Sequence, residues 1–161
     1  MIMKKYALLF VMMLLLLPSC KKDNWLDWKA ENEAWLAKNQ SNEGVQVTPT
    51  GLQYKVIFPG TDDGRHPDDI KTVTVSYSAY LISGLQSGQT FEKSTNAKFN
   101  VVQLIAGFSE GLKKMSVDSH YIFYIPASLG YGNEGQGTRG TETYIPPYST
   151  LIFDVTLTAI N

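Results

Sequence analysis

"QLIAGFSEGLKKM", residues 103–115, breaks the pattern of the segments around it because its apolar residues recur at helical spacing. Five of them fall on one helical face: Leu104, Ile105, Phe108, Leu112 and Met115. Two glycines, Gly107 and Gly111, lie inside the same stretch, where each costs about 1 kcal/mol relative to Ala. We therefore expect a short helix whose backbone is pressed close against a sheet.

The segments on either side of this helix alternate with a period of two, which is typical of half-buried strands. They are LQYKVIF (52–58), VTVSYSAYL (73–81), SHYIFYI (119–125) and LIFDVTLTAI (151–160). The inward-facing residues include Val73, Val75, Tyr77, Ala79 and Leu81, and then Leu151, Phe153, Val155 and Leu157. Several antiparallel strands and one short helix predict an α+β domain with the helix on one sheet face.

Residues 1–19 have the composition of a lipoprotein signal peptide. Lys4 and Lys5 precede the apolar run 6–17, which is too short to span a bilayer core of about 30 Å. LPSC, residues 17–20, is similar to the bacterial lipobox, in which the cysteine is lipidated and becomes the first mature residue. We therefore predict a lipid anchor on Cys20 and a location in the bacterial cell envelope, at the periplasmic or surface side of the outer membrane. The alternative is an ordinary cleaved signal followed by an incidental thiol.

Residues 20–50 are predicted to contain a tether, an amphipathic helix and a linker. In NWLDWKAENEAWLAKNQ, residues 24–40, Trp25, Trp28 and Trp35 recur at roughly helical spacing with charges between them. Such a helix can dock on the domain, on a second copy to form a homodimer, or on the membrane surface, and its mixed charges favour the first two. NQSNEGVQVTPTG, residues 39–51, is rich in turn formers and predicts a linker. The main domain is expected at 51–161.

The composition argues against several classes of function. The 161 residues include 14 basic and 15 acidic side chains with no block of one sign, so no nucleic-acid partner is expected. His66 and His120 are far apart and Cys20 is the only cysteine, so we expect no disulfide, no metal site and no cofactor. GYGNEGQGTRG, residues 130–140, lacks the Lys-Ser/Thr ending of a phosphate loop. Neither hydrolytic nor redox chemistry is supported.

Five segments, taken in chain order, resemble those of a known family. They are VTVSYSAYL (73–81), SGQTFEKS (87–94), LIAGFSEGLKKM (104–115), IPASLGYG (125–132) and YIPPYSTLIFDVTL (144–157). Five motifs of that family recur in register in these segments. They are the strand tyrosine, the Phe-acid pair, the Ile-x-Gly-aromatic helix, the Tyr-Gly, and the Ile-Pro-Pro before a final Phe-Asp-Val strand. On these motifs, residues 51–161 resemble the FKBP family of peptidyl-prolyl cis/trans isomerases. The lipobox and leading helix make the chain similar to its bacterial extracytoplasmic members.

The resemblance implies a curved antiparallel sheet wrapped around one short helix, with the active pocket between them. Phe108 corresponds to the aromatic floor on which a substrate proline ring rests. The backbone N–H of Ile105 and the hydroxyl of Tyr131 correspond to donors that hold ligand carbonyls. The residues implied in catalysis are Tyr77, Phe91, Glu92, Phe108, Tyr131 and Phe153, and those implied in substrate binding are Phe99, Leu104, Ile105, Tyr144 and Ile145.

The implied activity is isomerisation of X-Pro bonds in unfolded or newly exported polypeptides. The chain departs from the family pattern at Glu92, where Asp is usual, and at Phe108, where the best-known members have Trp. The loops at 81–91 and 132–143 are also longer than in compact members. These departures keep open a second hypothesis, a polypeptide-binding chaperone of the same fold with little turnover. A structural envelope lipoprotein that uses the fold as a scaffold is a third.

Overall fold

The structure is a computed structural model that describes residues 25–61 and 64–161. The predicted signal peptide and the predicted lipidation site at Cys20 lie outside the described residues. The helices are α1 (Trp25–Asn39) and α2 (Ala106–Leu112), with single 3-10 turns at Val101–Gln103 and Ala127–Leu129. The strands are β1 (Val45–Val47), β2 (Gln53–Phe58), β3 (Thr72–Leu81), β4 (Thr90–Asn100), β5 (His120–Ile125) and β6 (Leu151–Ile160).

The six strands form one antiparallel sheet in the order β1-β2-β5-β6-β3-β4. The expected α+β class and the four alternating strands are confirmed. Two strands were not predicted. β1 lies inside the segment expected to be a linker, and its three residues are too few to show a period. β4 was missed because its pairing register with β3 shifts between Val75 and Tyr77 and again between Ala79 and Tyr80, so its outward and inward residues do not alternate regularly.

Helix α2 packs on one face of the sheet with almost no space between the two backbones. A Cβ atom on Gly111 would lie 2.7 Å from the ring of Phe123, and one on Gly107 would lie 2.5 Å from Cγ2 of Ile125. The expectation that these glycines mark a close approach to the sheet is confirmed. The helix is shorter than its predicted stripe, because Ile105 has an extended backbone (φ −57°, ψ 145°) and the helix begins after it.

Helix α1 covers the opposite face of the same sheet. Its side chains pack on Tyr124 and Ile152, and the rings of Trp35 and Tyr124 have their centroids 5.7 Å apart. Of the three predicted alternatives for this helix, the structure shows docking on its own domain. The two buried residues of the helix are asparagines, Asn32 and Asn39. The most buried positions of this predicted amphipathic helix are therefore polar amides. Among the described residues, neither helix has the length and apolarity needed to cross a membrane.

Candidate active site

The candidate site lies between helix α2 and the sheet face that it covers. Helix α2 contributes Phe108, β3 contributes Tyr77, and β6 contributes Phe153. β4 contributes the remaining two rings, Phe91 and Phe99. The inward alternation of β3 and β6 and the helical stripe of α2 thus bring Tyr77, Phe153 and Phe108 together.

The five rings contact one another around Phe108, whose side chain is only 3% exposed. Phe108 and Phe153 are offset-stacked, with centroids 4.7 Å apart and planes at 28°. Tyr77 lies 5.8 to 6.2 Å from Phe99, Phe153 and Phe108. Phe91 and Phe99 meet the stack edge-on, at 6.1 Å from Phe153 and 6.2 Å from Phe108. These are favourable aromatic geometries, and they create an apolar region that suits an uncharged ring such as that of proline.

A single carboxylate lies at the edge of this aromatic cluster. The Tyr77 hydroxyl donates to Oε1 of Glu92 at 2.7 Å, and the Glu92 side chain is exposed on β4. Burial, followed by the hydrogen bond to Glu92, raises the pKa of Tyr77 well above its ordinary value. Burial and the charge of Glu92 likewise raise the pKa of Tyr131. Both hydroxyls therefore remain protonated donors at neutral pH.

Two donors near the rings are free to meet a ligand. The Ile105 N–H donates to no other group in the described parts of the chain, because Ile105 precedes helix α2 and only its carbonyl bonds to the helix, accepting from Phe108 and Ser109 at 3.0 Å. The Tyr131 hydroxyl also has no hydrogen bond to a described residue, and Tyr131 is half-buried against the core. The candidate site thus contains one backbone donor and one side-chain donor without a partner among the described residues.

The residues just before β6 border the ring cluster. Ile145 is 4% exposed and belongs to the core, and it exchanges two backbone hydrogen bonds with Gln136, at 2.8 and 2.9 Å. Tyr144 lies further out and lines a cavity of about 170 Å³ together with Phe91 and Glu142. The longer loops at 81–91 and 132–143 face each other across this cavity.

The structure brings most of the predicted site residues together. Leu104, Ile105, Tyr131 and Ile145 join the rings in one apolar cluster, whereas Glu92 and Tyr144 lie at its edge. Phe123 is not among the predicted site residues. Its ring is fully buried on β5, 6.0 Å from Phe108 on the sheet side, and it supports the floor from below. The alternation of β5 could have identified it.

The two histidines make contacts of another kind. Within residues 25–61 and 64–161, no three His, Cys, Asp or Glu side chains gather closely enough to bind a metal ion. His120 instead pairs with Asp154, Nε2 to Oδ1 at 2.6 Å, on neighbouring strands β5 and β6. His66 Nδ1 lies 2.9 Å from the Met115 carbonyl beyond the end of helix α2. Both histidines therefore contact structural groups rather than the ring cluster.

Comparison with known families gives two matches along the chain. Residues 63–158 match the model of the FKBP-type peptidyl-prolyl cis-trans isomerase, which is more than half of the chain. Residues 21–56 match the domain that is amino-terminal to FKBP-type peptidyl-prolyl isomerases. The first match includes all five rings of the cluster, and the second includes helix α1 and strand β1.

Individual proteins are similar over most of the chain. The outer membrane protein MIP of Legionella longbeachae is 39% identical over 133 residues, covering 83% of this chain and 54% of that protein. FkpA of Aeromonas hydrophila, named as an FKBP-type peptidyl-prolyl cis-trans isomerase, is 37% identical over 131 residues, covering 81% of this chain and 46% of that protein. The chain therefore spans about half the length of these two relatives.

This chain shares its fold with nearly the full length of one solved structure. The crystal structure of a peptidyl-prolyl cis-trans isomerase from Pseudomonas syringae pv. tomato superposes with a TM-score of 0.74 at 26% identity. The match covers 86% of this chain and 96% of that chain.

Proposed function

The chain belongs to the FKBP-type peptidyl-prolyl cis-trans isomerase family, and from this membership we propose that it isomerises X-Pro peptide bonds. The observation that supports the proposal most directly is the ring cluster around Phe108, with the Ile105 N–H and the Tyr131 hydroxyl beside it. The cluster can enclose a proline ring, and the two donors can bind carbonyls on either side of it.

The chemistry requires no acid, base or metal. Rotation about an amide bond has a barrier of about 18–20 kcal/mol because the planar form delocalises the nitrogen lone pair, and X-Pro bonds therefore exchange in tens to hundreds of seconds. A twisted amide has lost that delocalisation and is less polar than the planar ground state. An apolar, ring-lined pocket that binds the twisted form better than the planar form lowers the barrier by that difference.

Each predicted site residue has a proposed role in this mechanism. Phe108, stacked on Phe153, is the floor under the proline ring. Ile105 and Tyr131 donate to substrate carbonyls. Phe91, Tyr77, Phe99 and Leu104 complete the walls, Glu92 orients the Tyr77 hydroxyl, and Tyr144 and Ile145 form the rim.

The proposed substrates are proline-containing unfolded or newly exported polypeptides in the bacterial cell envelope. The signal-like residues 1–19 and the lipobox-like LPSC support this location, as does the name of the Legionella relative, an outer membrane protein. We propose that Cys20 is the anchoring residue. Membrane fractionation tests it: wild-type protein should partition with membranes and detergent, and Cys20→Ser should give an uncleaved or soluble product. Unmodified wild-type protein in the soluble fraction would refute the anchor.

A homodimer through helix α1 also needs its own test. Trp28 and Trp35 pack on the sheet of the same chain, so we propose that a dimer contact uses the outer face of the helix, where Leu26 is 62% exposed. Light scattering after size-exclusion chromatography distinguishes the two states, and exchange of Leu26 for Glu should dissociate a dimer formed in this way.

The decisive experiment for the function compares two assays on one preparation. A protease-coupled assay on prolyl tetrapeptides measures isomerisation, and suppression of aggregation of a proline-free client measures chaperone activity. Isomerisation that is lost on blocking the pocket with a rapamycin-like ligand is the expected result. Aggregation suppression without measurable isomerisation would select the chaperone, and the absence of both activities would select a scaffold.

A further inference from the structure

Helix α1 is hydrogen-bonded to the segment that forms the pocket rim, residues 144–150, which we call the rim segment. The amide of Asn32 is 1% exposed, and its Oδ1 accepts the Thr150 N–H at 2.7 Å. Its Nδ2 donates to the carbonyl of Trp28 at 2.8 Å, so both ends of the amide are fixed. A buried backbone N–H at the end of the rim segment thus has its partner on α1.

A second connection runs through Trp28. Its indole Nε1–H donates to Oγ of Ser149 at 3.0 Å, and the Ser149 hydroxyl donates to the carbonyl of Pro146 at 2.7 Å. Pro146 directly follows Ile145, whose side chain belongs to the pocket. Two successive hydrogen bonds therefore link helix α1 to Pro146, the residue next to Ile145.

The rim segment also contains a strained residue that needs outside support. Tyr148 has a φ of 63°, a left-handed conformation that is unusual for an aromatic residue. Its N–H donates to the carbonyl of Gly132 at 2.8 Å, and the ammonium group of Lys29 on α1 lies 5.4 Å from its ring centroid. Such a conformation persists only where the surrounding structure holds it.

These contacts lie beside a cavity. A cavity of about 300 Å³ separates α1 from the loop around Pro126 and Gly132, and Asn32 and Tyr148 both line it. Apolar packing on Tyr124 and Ile152 holds the helix against the sheet. Beside this cavity, the polar bonds of Asn32 and Trp28 connect the helix to the rim segment.

We propose that α1 positions the rim of the pocket, with Asn32 and Trp28 as positioning residues that act through the rim segment. This inference rests on the proposed function only in taking the pocket as the place where isomerisation occurs. Loss of either contact should free the rim segment, raise its mobility and lower the efficiency with which the pocket holds a twisted substrate.

The same helix offers a matched control in Asn39. Asn39 is also buried, 4% exposed, and its Nδ2 donates to Oε1 of Gln53 on β2 at 2.9 Å. Its Oδ1 accepts from Asn42, and none of its described hydrogen bonds reaches the rim segment. Truncation of either asparagine leaves a buried partner unsatisfied, so Asn32→Ala and Asn39→Ala should destabilise the protein to a similar degree.

The test measures activity and rim mobility in the full chain, for wild type, Asn32→Ala, Asn39→Ala and the milder Trp28→Phe, which keeps a ring but removes the donor. It is run at a temperature where urea titrations show all four proteins folded. In Asn32→Ala we expect kcat/KM on a prolyl tetrapeptide to fall about three- to tenfold, as for one lost hydrogen bond. Backbone amide exchange at Tyr144, Ile145 and Tyr148 should accelerate. Trp28→Phe should also lower kcat/KM and accelerate this amide exchange. Asn39→Ala should leave kcat/KM and the exchange rates near those of the wild type.

Equal effects of Asn32→Ala and Asn39→Ala on kcat/KM and on rim exchange would overturn the proposal, because a general loss of stability would then explain them. Unchanged rim exchange in Asn32→Ala would overturn it as well. If wild-type protein shows no isomerisation, the proposed function fails, and the exchange measurement still decides whether α1 holds the rim.

Discussion

The rings of Phe108 and Phe153 are stacked with their centroids 4.7 Å apart, although one is on helix α2 and the other on strand β6. Each ring is less than a tenth exposed. Phe108 also contacts Phe123 on its sheet side, so the proposed floor of the pocket is continuous with the hydrophobic core. Changes at Phe108 will therefore affect stability as well as ligand binding, and the two effects have to be measured separately.

Phe108→Leu should weaken binding of a rapamycin-like ligand by about tenfold, since an aromatic contact adds roughly 0.5–1.5 kcal/mol beyond its buried area. Leu is preferable to Ala, because truncation of a fully buried Phe to Ala costs about 3–5 kcal/mol. Fluorescence titration measures the affinity, and Phe123→Leu is the control, since the fully buried Phe123 ring lies on the sheet side of Phe108. Equal weakening in both variants, or an unchanged affinity in Phe108→Leu, would show that the floor is elsewhere.

Tyr131→Phe should reduce kcat/KM about three- to tenfold, which corresponds to one hydrogen bond of about 0.5–1.5 kcal/mol. The hydroxyl has no bond to a described residue, so its removal should leave the free energy of unfolding nearly unchanged. Tyr121→Phe is the matched control, because the Tyr121 hydroxyl donates to the Lys114 carbonyl at 3.3 Å, away from the rings. Complete loss of activity in Tyr131→Phe would indicate acid–base chemistry instead.

The rate of isomerisation should be nearly constant from about pH 6 to 8. The mechanism uses no proton transfer, and the pKa of both Tyr77 and Tyr131 is raised, so both stay protonated throughout this range. The protease-coupled assay, with the protease calibrated separately at each pH, gives the profile. A bell-shaped curve in this range would contradict the proposed mechanism.

The protein should lose stability above about pH 10, since burial raises the pKa of four tyrosines above their ordinary value of 10.0: Tyr77, Tyr121, Tyr124 and Tyr131. As the pH rises, these tyrosines ionise first in the unfolded chain. Their contribution to the free energy of unfolding is therefore complete below pH 10 and is lost as the pH passes through their pKa values in the folded protein. Urea titrations between pH 8 and 11 measure this. Tyr77→Phe should flatten the decline, and an identical slope in that variant would argue against the prediction.

Gly111→Ala should destabilise the protein, although the same change in an exposed helix gains about 1 kcal/mol. The new Cβ would lie 2.7 Å from the Phe123 ring, and overpacking of this kind costs typically about 1–3 kcal/mol. Ser109→Ala, a half-buried position in the same helix, should be neutral or slightly stabilising. Thermal denaturation of both variants compares them, and a gain in Gly111→Ala would mean that the helix lies further from the sheet.

Much of the site could be predicted from local patterns. The period of two in β3 and β6 puts Tyr77 and Phe153 on the inward face, and the helical stripe puts Phe108 opposite them. The resemblance of the motifs to one family then indicated which inward rings form a pocket. The helix boundary at Ile105 was not predictable in this way, because an apolar stripe does not reveal where the backbone turns from extended to helical.

From local patterns we could predict the class of fold, the inward face of each alternating strand and the rings of β3, β6 and α2, because these follow from periodicities over a few neighbouring residues. Phe91 and Phe99 on β4 were identified only through the family resemblance. Three features came from tertiary packing alone: the face of the sheet that helix α1 covers, the bulges of β4, and the contact between Asn32 and Thr150. These two residues are 118 positions apart in the chain. A buried amide in a charged helix gives no periodic signal of its partner, since that partner is chosen by how the whole sheet folds.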